Sequence, residues 1–140
     1  MKVKNAMHSG VEACHPDSSA KELASIMQKF DVGAVPVIDG KAILGMITDR
    51  DIVCRAVAKG KDLSNLKARD IMSGDVIFCT ENEEVEDAIR LMEDKQIRRL
   101  PVMDARNHMT GMLSLGDVSH ILPHELSGEL IEKVAAHHSV

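Results

Sequence analysis

Aromatic side chains are almost missing from this 140-residue chain, which has no Trp, no Tyr and only Phe30 and Phe78. Single-stranded bases stack on flat aromatic faces, so nucleic acid finds no platform here, and a formal net charge of -5 opposes general binding to a polyanion. Cysteine is also scarce. Cys14, Cys54 and Cys79 are odd in number, far apart and without a CxxC pair, which fits small buried side chains in a reducing compartment rather than a disulfide framework. No apolar run reaches the roughly 18 residues of a membrane helix, and Met1-Lys2-Val3-Lys4 does not lead into the apolar core of a signal peptide. The expectation is a cytoplasmic protein with neither a membrane nor a nucleic-acid partner. Chemical signatures are lacking as well: there is no GxxxxGK, no nucleophile elbow and no HExxH. His8, His15, His108, His120 and His124 read as dispersed, and His137-His138 fall in a terminal tail. Neither a catalytic residue nor a metal site is expected, and no cofactor is required.

What the chain does contain is a duplication. Val35-Pro36-Val37-Ile38-Asp39 falls on Leu100-Pro101-Val102-Met103-Asp104 at an offset of 65 residues. One inserted residue later, at 66, Gly45-Met46-Ile47-Thr48 falls on Gly111-Met112-Leu113-Ser114, and Asp51 falls on Asp117. Upstream, Met7 meets Met72, Cys14 meets Cys79 and Met27 meets Met92. A long period used twice argues for two similar lobes rather than a solenoid, which needs three or more stacked units. With 44% hydrophobic and 28% charged residues, the composition is that of an ordinary globular domain.

Each copy reads as strand, helix, strand, strand, helix. Val11 to Cys14 is a strand candidate, and Asp17 and Asn82 are candidate N-caps. They precede helices with apolar faces, Ala20, Leu23, Ala24, Met27 and Phe30 in one copy and Val85, Ala88, Ile89 and Met92 in the other. Two β-rich runs follow in each copy, Ala34 to Ile38 with Ala42 to Ile47, and Leu100 to Met103 with His108 to Leu113. Pro36 and Pro101 cannot donate to a ladder, which predicts an edge or strand-start position. Thr48 and Ser114 then cap helices running to about Lys59 and Leu122, and a last amphipathic helix spans about Glu125 to Ala136. The expected division is repeat 1 over 1–60, a linker over 61–66, repeat 2 over 67–123, and a C-terminal helix and tail over 124–140.

Two copies of hydrophobic-Pro-Val-hydrophobic-Asp, each followed by Gly-hydrophobic-hydrophobic-Thr/Ser-x-x-Asp, resemble the tandem cystathionine-β-synthase (CBS) domain pair, or Bateman module. The resemblance covers roughly Val3 to Leu122. It implies an α/β (α+β) fold of two β-α-β-β-α repeats packed about a pseudo-twofold axis, with clefts for adenosine-containing ligands. It also implies a homodimer and a sensor role, and since the chain is the module alone, the regulated partner is expected to be a separate polypeptide. Ile52, Val53, Ala56, Val57, Val118, Ile121 and Leu122 are apolar on a further side of the short helices and suit a symmetric contact.

Carried over residue by residue, the resemblance makes Asp51 and Asp117 the ribose ligands and Thr48 and Ser114 the phosphate-side ligands. A helix N-terminus favours a phosphate, and an ionised carboxylate accepts from the paired hydroxyls of a ribose. The competing reading of each Ser/Thr-x-x-Asp is a helix capping box. Arg99, then Arg98, precede the second copy where the family often places phosphate-facing bases, and the first copy has Gly33-Ala34 there. Arg50 lies in a first helical turn, where a phosphate would relieve its charge. Adenine would lie between aliphatic side chains such as Val35, Ile38, Leu100 and Met103, so AMP, ADP, ATP, NAD and S-adenosylmethionine all stay open as ligands. A ligand-independent dimeric scaffold is the alternative.

Overall fold

A computed structural model describes residues 1–136, so the His137-His138 tail lies outside the described residues. The chain forms two compact units, one made of Met1–Val11 with Ile77–Val140 and the other of Glu12–Val76. Each unit mixes sheet and helix around one copy of the repeat, as the duplicated pattern predicts.

In the unit of the first repeat, α2 (Ala20–Phe30) packs on the antiparallel pair β2 (Ala34–Asp39) and β3 (Ala42–Thr48). Ala20, Leu23 and Met27 stand at helical spacing and are buried with Val35, Val37 and Ile47. Ala24 and Phe30, expected on the same face, are exposed instead, because the buried stripe is narrow and Ile26 takes up its flank. After β3 come α3 (Asp49–Ile52) and a single wider π turn, Val53–Val57. The expected strand over Val11 to Cys14 shrinks to one parallel bridge between Cys14 and Val37.

The unit of the second repeat contains a four-stranded sheet in the order β1-β6-β5-β4, built from β1 (His8–Ser9), β4 (Cys79–Thr80), β5 (Arg99–Met103) and β6 (Met109–Ser114). Val85, Ala88, Ile89 and Met92 of α5 (Val85–Lys95) are all buried against it. The short α6 (Leu115–Ser119) follows β6, and α7 (His124–Ala135) closes the core with Leu130 and Val134. Both β hairpins carry a register shift at the same place, after Val37 and after Val102. The longer second turn is organised by Asp104, whose Oδ1 accepts from the amides of Arg106 and His108. Those amides hold the Asp104 carboxyl below its ordinary range.

The segment before each repeat belongs to the other repeat's unit. Helix α1 (Val3–Ala6) buries Val3 in the core of the second repeat, and α4 (Ala68–Ile71) buries Ala68 and Ile71 in that of the first. These lead-ins also satisfy the open helix ends, since Val85 donates to the Met1 carbonyl and Ala20 to the Leu66 carbonyl. Asp17 and Asn82 are therefore not the N-caps that their residue types suggest. Asp17 pairs with Lys67 and Arg69, and Asn82 accepts from Lys4 at 3.1 Å, so both tie a lead-in down. The N-caps lie two residues on, at Ser19 and Glu84.

Beyond the short helices, His8 pairs with Met112 on β6, and Ser73 with Met46 on β3. Gly45 and Gly111 make room for this. A Cβ on Gly111 would lie 2.3 Å from the His8 carbonyl oxygen, and one on Gly45 would lie 2.7 Å from that of Ser73. Pro101, expected at an edge or a strand start, sits instead inside β5 between two strands; β4 begins opposite Val102, so no neighbour there needs the missing N–H.

Gly111→Ala and Gly45→Ala are each expected to lower stability by about 1–3 kcal/mol, the range for forcing bulk into a packed site. A Cβ on Gly74 would meet nothing within 4 Å, so Gly74→Ala should cost under about 0.5 kcal/mol. Urea unfolding midpoints compare the three, and equal midpoints would show that the lead-ins do not press on the hairpins.

Burial pushes the Cys14 thiol up to about 11 and the Cys79 thiol up to about 12, whereas Cys54, expected to be buried, is exposed on the π turn. An aromatic disulfide reagent at pH 8 should therefore label about one thiol per native chain at once, and the other two only on unfolding. Because both folded values lie above the ordinary 9.0, their contribution to stability is present below pH 9 and is lost as pH rises toward 11 and 12. Immediate labelling of all three thiols would contradict this burial.

Candidate functional site

The two matching motifs meet within each unit. Ala34 is in register with Thr48 across β2 and β3, and Arg99 with Ser114 across β5 and β6. The backbone then turns into a helix at each hydroxyl residue, and the first helical amide donates back to the residue before the hairpin, Asp49 to the Gly33 carbonyl and Leu115 to that of Arg98. The junction is a reciprocal capping box in both copies. Thr48 Oγ1 accepts from the Asp51 amide at 3.1 Å while Asp51 Oδ2 accepts from the Thr48 amide at 2.9 Å. Ser114 and Asp117 repeat this at 3.1 and 2.8 Å, and the Ser114 hydroxyl also donates to Asp117 Oδ2 at 2.8 Å. The capping role and a ligand role thus fall on the same two carboxylates.

In each carboxylate Oδ2 is committed to the cap, and Oδ1 lies beside a basic side chain. Asp51 Oδ1 has Arg55 Nε at 3.7 Å, and Asp117 Oδ1 has His8 Nε2 at 2.8 Å. Neither Arg55 nor His8 stands out in the sequence motif. Arg55 lies one helical turn beyond Asp51, a spacing that could have flagged it, but only the folded lead-in brings His8 to Asp117. The first-turn donors are largely used as well: the Arg50 backbone amide donates to Asp49 Oδ1, and the Asp49 and Asp51 amides are bonded as described.

Arg98 and Arg99 are exposed beside Ser114, and among the described residues neither forms an ion pair; Arg50 is likewise exposed at the start of α3. The four aliphatic candidates divide in two. Val35 and Leu100 are fully buried in the core of their own unit and offer no surface to a ligand, because they face the helix side of the hairpin. Ile38, half-buried, and Met103, buried, come after the register shift and join neither core cluster. His120 and His124 in fact stand four residues apart, but His120 caps the end of α6 and His124 opens α7 behind Pro123, so they do not share a helix. Among the described residues no three His, Cys, Asp or Glu side chains assemble as a ligand set.

A duplicated hairpin that hands a capped hydroxyl and carboxylate to a short helix defines a tandem-repeat α+β module. The chain belongs to the CBS domain family, whose model matches residues 3–57 and 68–124. It is 35% identical over 134 residues to the CBS domain-containing protein YhcV of Bacillus subtilis, covering 95% of this chain and 94% of that protein. Among solved structures, Hypoxic Response Protein I with two coordinated zinc ions aligns with a TM-score of 0.79 at 27% identity, over 88% of this chain and 100% of that one. A CBS domain pair in complex with 5′-methylthioadenosine and S-adenosyl-L-methionine aligns with a TM-score of 0.78 at 26% identity, over 92% and 98%. No helix among the described residues is long and apolar enough to cross a membrane.

Ser114→Ala and Asp117→Ala are each expected to lower stability by about 1 kcal/mol through loss of the capping box, with Asp117→Asn milder because an acceptor remains. Thermal unfolding reads this out, and no measurable change in either variant would mean that the box holds nothing.

Proposed function

We propose that this protein is a non-enzymatic sensor that works inside the cell. It binds an adenosine-containing ligand (AMP, ADP, ATP, NAD or S-adenosylmethionine) and conveys its occupancy to a separate protein. The observation that carries this reading is the same hydroxyl–carboxylate junction built twice, each time with one carboxylate oxygen left outside the capping box. Through that oxygen Asp51 and Asp117 accept from the ribose hydroxyls, while Thr48 and Ser114 stand on the phosphate side. Arg99, supported by Arg98, supplies the phosphate charge beside Ser114, and Arg50 does so beside Thr48. Adenine rests on Ile38, and on Met103 once its flexible side chain shifts, rather than on the core residues Val35 and Leu100. The relative solved with two adenosine-containing ligands supports this ligand class.

A dimeric scaffold without a ligand is the second reading, favoured by the fact that capping alone already accounts for both carboxylates. A homodimer belongs to either reading. Of the residues expected at a symmetric contact, Ile52, Ala56 and Val118 are buried within their own units, whereas Val53, Val57 and Ile121 stay 57%, 54% and 38% exposed, and a symmetric partner would cover them.

Calorimetry with AMP, ATP, NAD and S-adenosylmethionine should find at least one ligand that binds below about 1 mM. If none does, the scaffold reading stands and the sensor reading falls. For a phosphorylated ligand, Arg99→Ala should weaken binding about tenfold or more and leave adenosine nearly unchanged, whereas Asp117→Ala should weaken both. Equal effects of Arg99→Ala on adenosine and its nucleotides would make the arginine structural. Light scattering in the same samples should return about twice 15.3 kDa, and a monomer mass at micromolar concentration would contradict the dimer.

A further inference from the structure

We infer that the two repeats take adenosine-containing ligands of different charge: the second a phosphorylated one, and the first one whose 5′ side is uncharged or cationic, a thioether or a sulfonium, with Asp49 as the residue that sets this specificity. The inference rests on the ribose and phosphate roles proposed for the carboxylates and hydroxyls of the two junctions.

Both junctions are built alike, place for place, and differ in charge. Asp31 and Gln96 are the matched C-caps of α2 and α5, both in the left-handed region at φ 51° and 54°. The chain then passes through Gly33-Ala34 in one unit and Arg98-Arg99 in the other. Ala34 is the cross-strand neighbour of Thr48 and Arg99 that of Ser114, and such neighbours lie about 5 Å apart at Cβ. After the hydroxyl come Asp49, Arg50 and Asp51 in the first unit, and Leu115, Gly116 and Asp117 in the second. Over these matched positions the first junction carries three carboxylates and one guanidinium, and the second one carboxylate and two guanidinia. The sign of the charge around the hydroxyl is reversed.

Asp49 is the charge next to Thr48 in the chain, and its Oδ1 accepts from the Arg50 amide at 2.9 Å, which keeps the carboxylate beside the junction. Arg50, the cation proposed for a phosphate there, thus stands against a fixed anion. Arg55 is a further guanidinium of this unit, but it is engaged elsewhere. Its Nη1 donates to the Ile71 carbonyl at 2.9 Å, and its Nε lies 3.7 Å from Asp51 Oδ1, the oxygen proposed for the ribose. Arg98 and Arg99 meet no carboxylate at the place of Asp49, because Leu115 stands there. Among the described residues Asp31, Asp49, Arg50, Arg98 and Arg99 are exposed and form no ion pair, so their charges act on whatever binds beside them. A phosphate monoester carries about −1.5 to −2 at pH 7, and charges within a Debye length of about 8 Å weigh on it. A neutral thioether is indifferent to them, and a sulfonium is drawn to the carboxylates.

The test is calorimetric titration of the full chain with AMP and with 5′-methylthioadenosine, a neutral thioether, in Asp51→Ala, which isolates the second site, and in Asp117→Ala, which isolates the first. Asp51→Ala should bind AMP about tenfold more tightly than the thioether, and Asp117→Ala should reverse the order. In the Asp117→Ala background, Asp49→Asn keeps the acceptor for the Arg50 amide and removes the charge. It should raise AMP affinity about threefold or more and leave that of the thioether nearly unchanged, whereas a merely structural Asp49 would move both together. If both ligands bind but prefer the same site, or if Asp49→Asn shifts them equally or not at all, this inference falls and the sensor reading survives. It also falls alone if neither probe binds while ATP, NAD or S-adenosylmethionine does. If none of these ligands binds the unmodified chain, both fall.

Discussion

Two backbone contacts hold the architecture together: the carbonyl of His8 against Gly111, and the carbonyl of Ser73 against Gly45. At each, a segment that precedes one repeat is pressed onto the hairpin of the other at a separation that any side chain would forbid. Much else depends on this exchange. The lead-in helices complete the cores with Val3 and with Ala68 and Ile71, and the Met1 and Leu66 carbonyls accept from the open N-termini of α5 and α2. Asp17 and Asn82, a full repeat apart, anchor Arg69 and Lys4, which are also a full repeat apart. A repeat removed from its neighbour's lead-in would lose core, cap and strand partner together.

The same carboxylates carry both structure and proposed recognition. A capping box needs one oxygen of Asp51 or Asp117, which leaves the second oxygen outside the cap. A carboxylate fixed at one oxygen by a backbone amide presents the other in a defined direction, with little rotamer freedom left to lose on binding. The capping and binding readings of Ser/Thr-x-x-Asp, which compete when only the sequence is in view, are compatible in space. The two units then diverge in what meets the free oxygen, a guanidinium from the adjoining π turn in one and an imidazole from the lead-in strand in the other.

Where a residue departs from its local preference, a tertiary partner overrules it. Asp17 and Asn82 are good N-cap types, yet each is taken by a basic side chain from a lead-in. Pro101 suggests an edge or a strand start, yet its strand is flanked on both sides, and the proline is tolerated because β4 begins opposite the next residue. Val35 and Leu100 lie in the right motif, yet the alternation of the strand turns them into the core and leaves Ile38 and Met103 out of it.

The sequence by itself determined the duplication, the hairpins with their turn residues, the capped junctions at Thr48 and Ser114 and the amphipathic helices. The duplication shows in the comparison of residues 65 or 66 positions apart; the others are each set by residues within about fifteen positions of one another, so periodicity and spacing record them directly. Only the tertiary structure decided that the lead-ins exchange repeats, why Gly45 and Gly111 must lack a side chain, and that His8 reaches Asp117. Those contacts join residues 28 to 109 positions apart. Their geometry depends on how strands and helices close around a core, which no local pattern encodes.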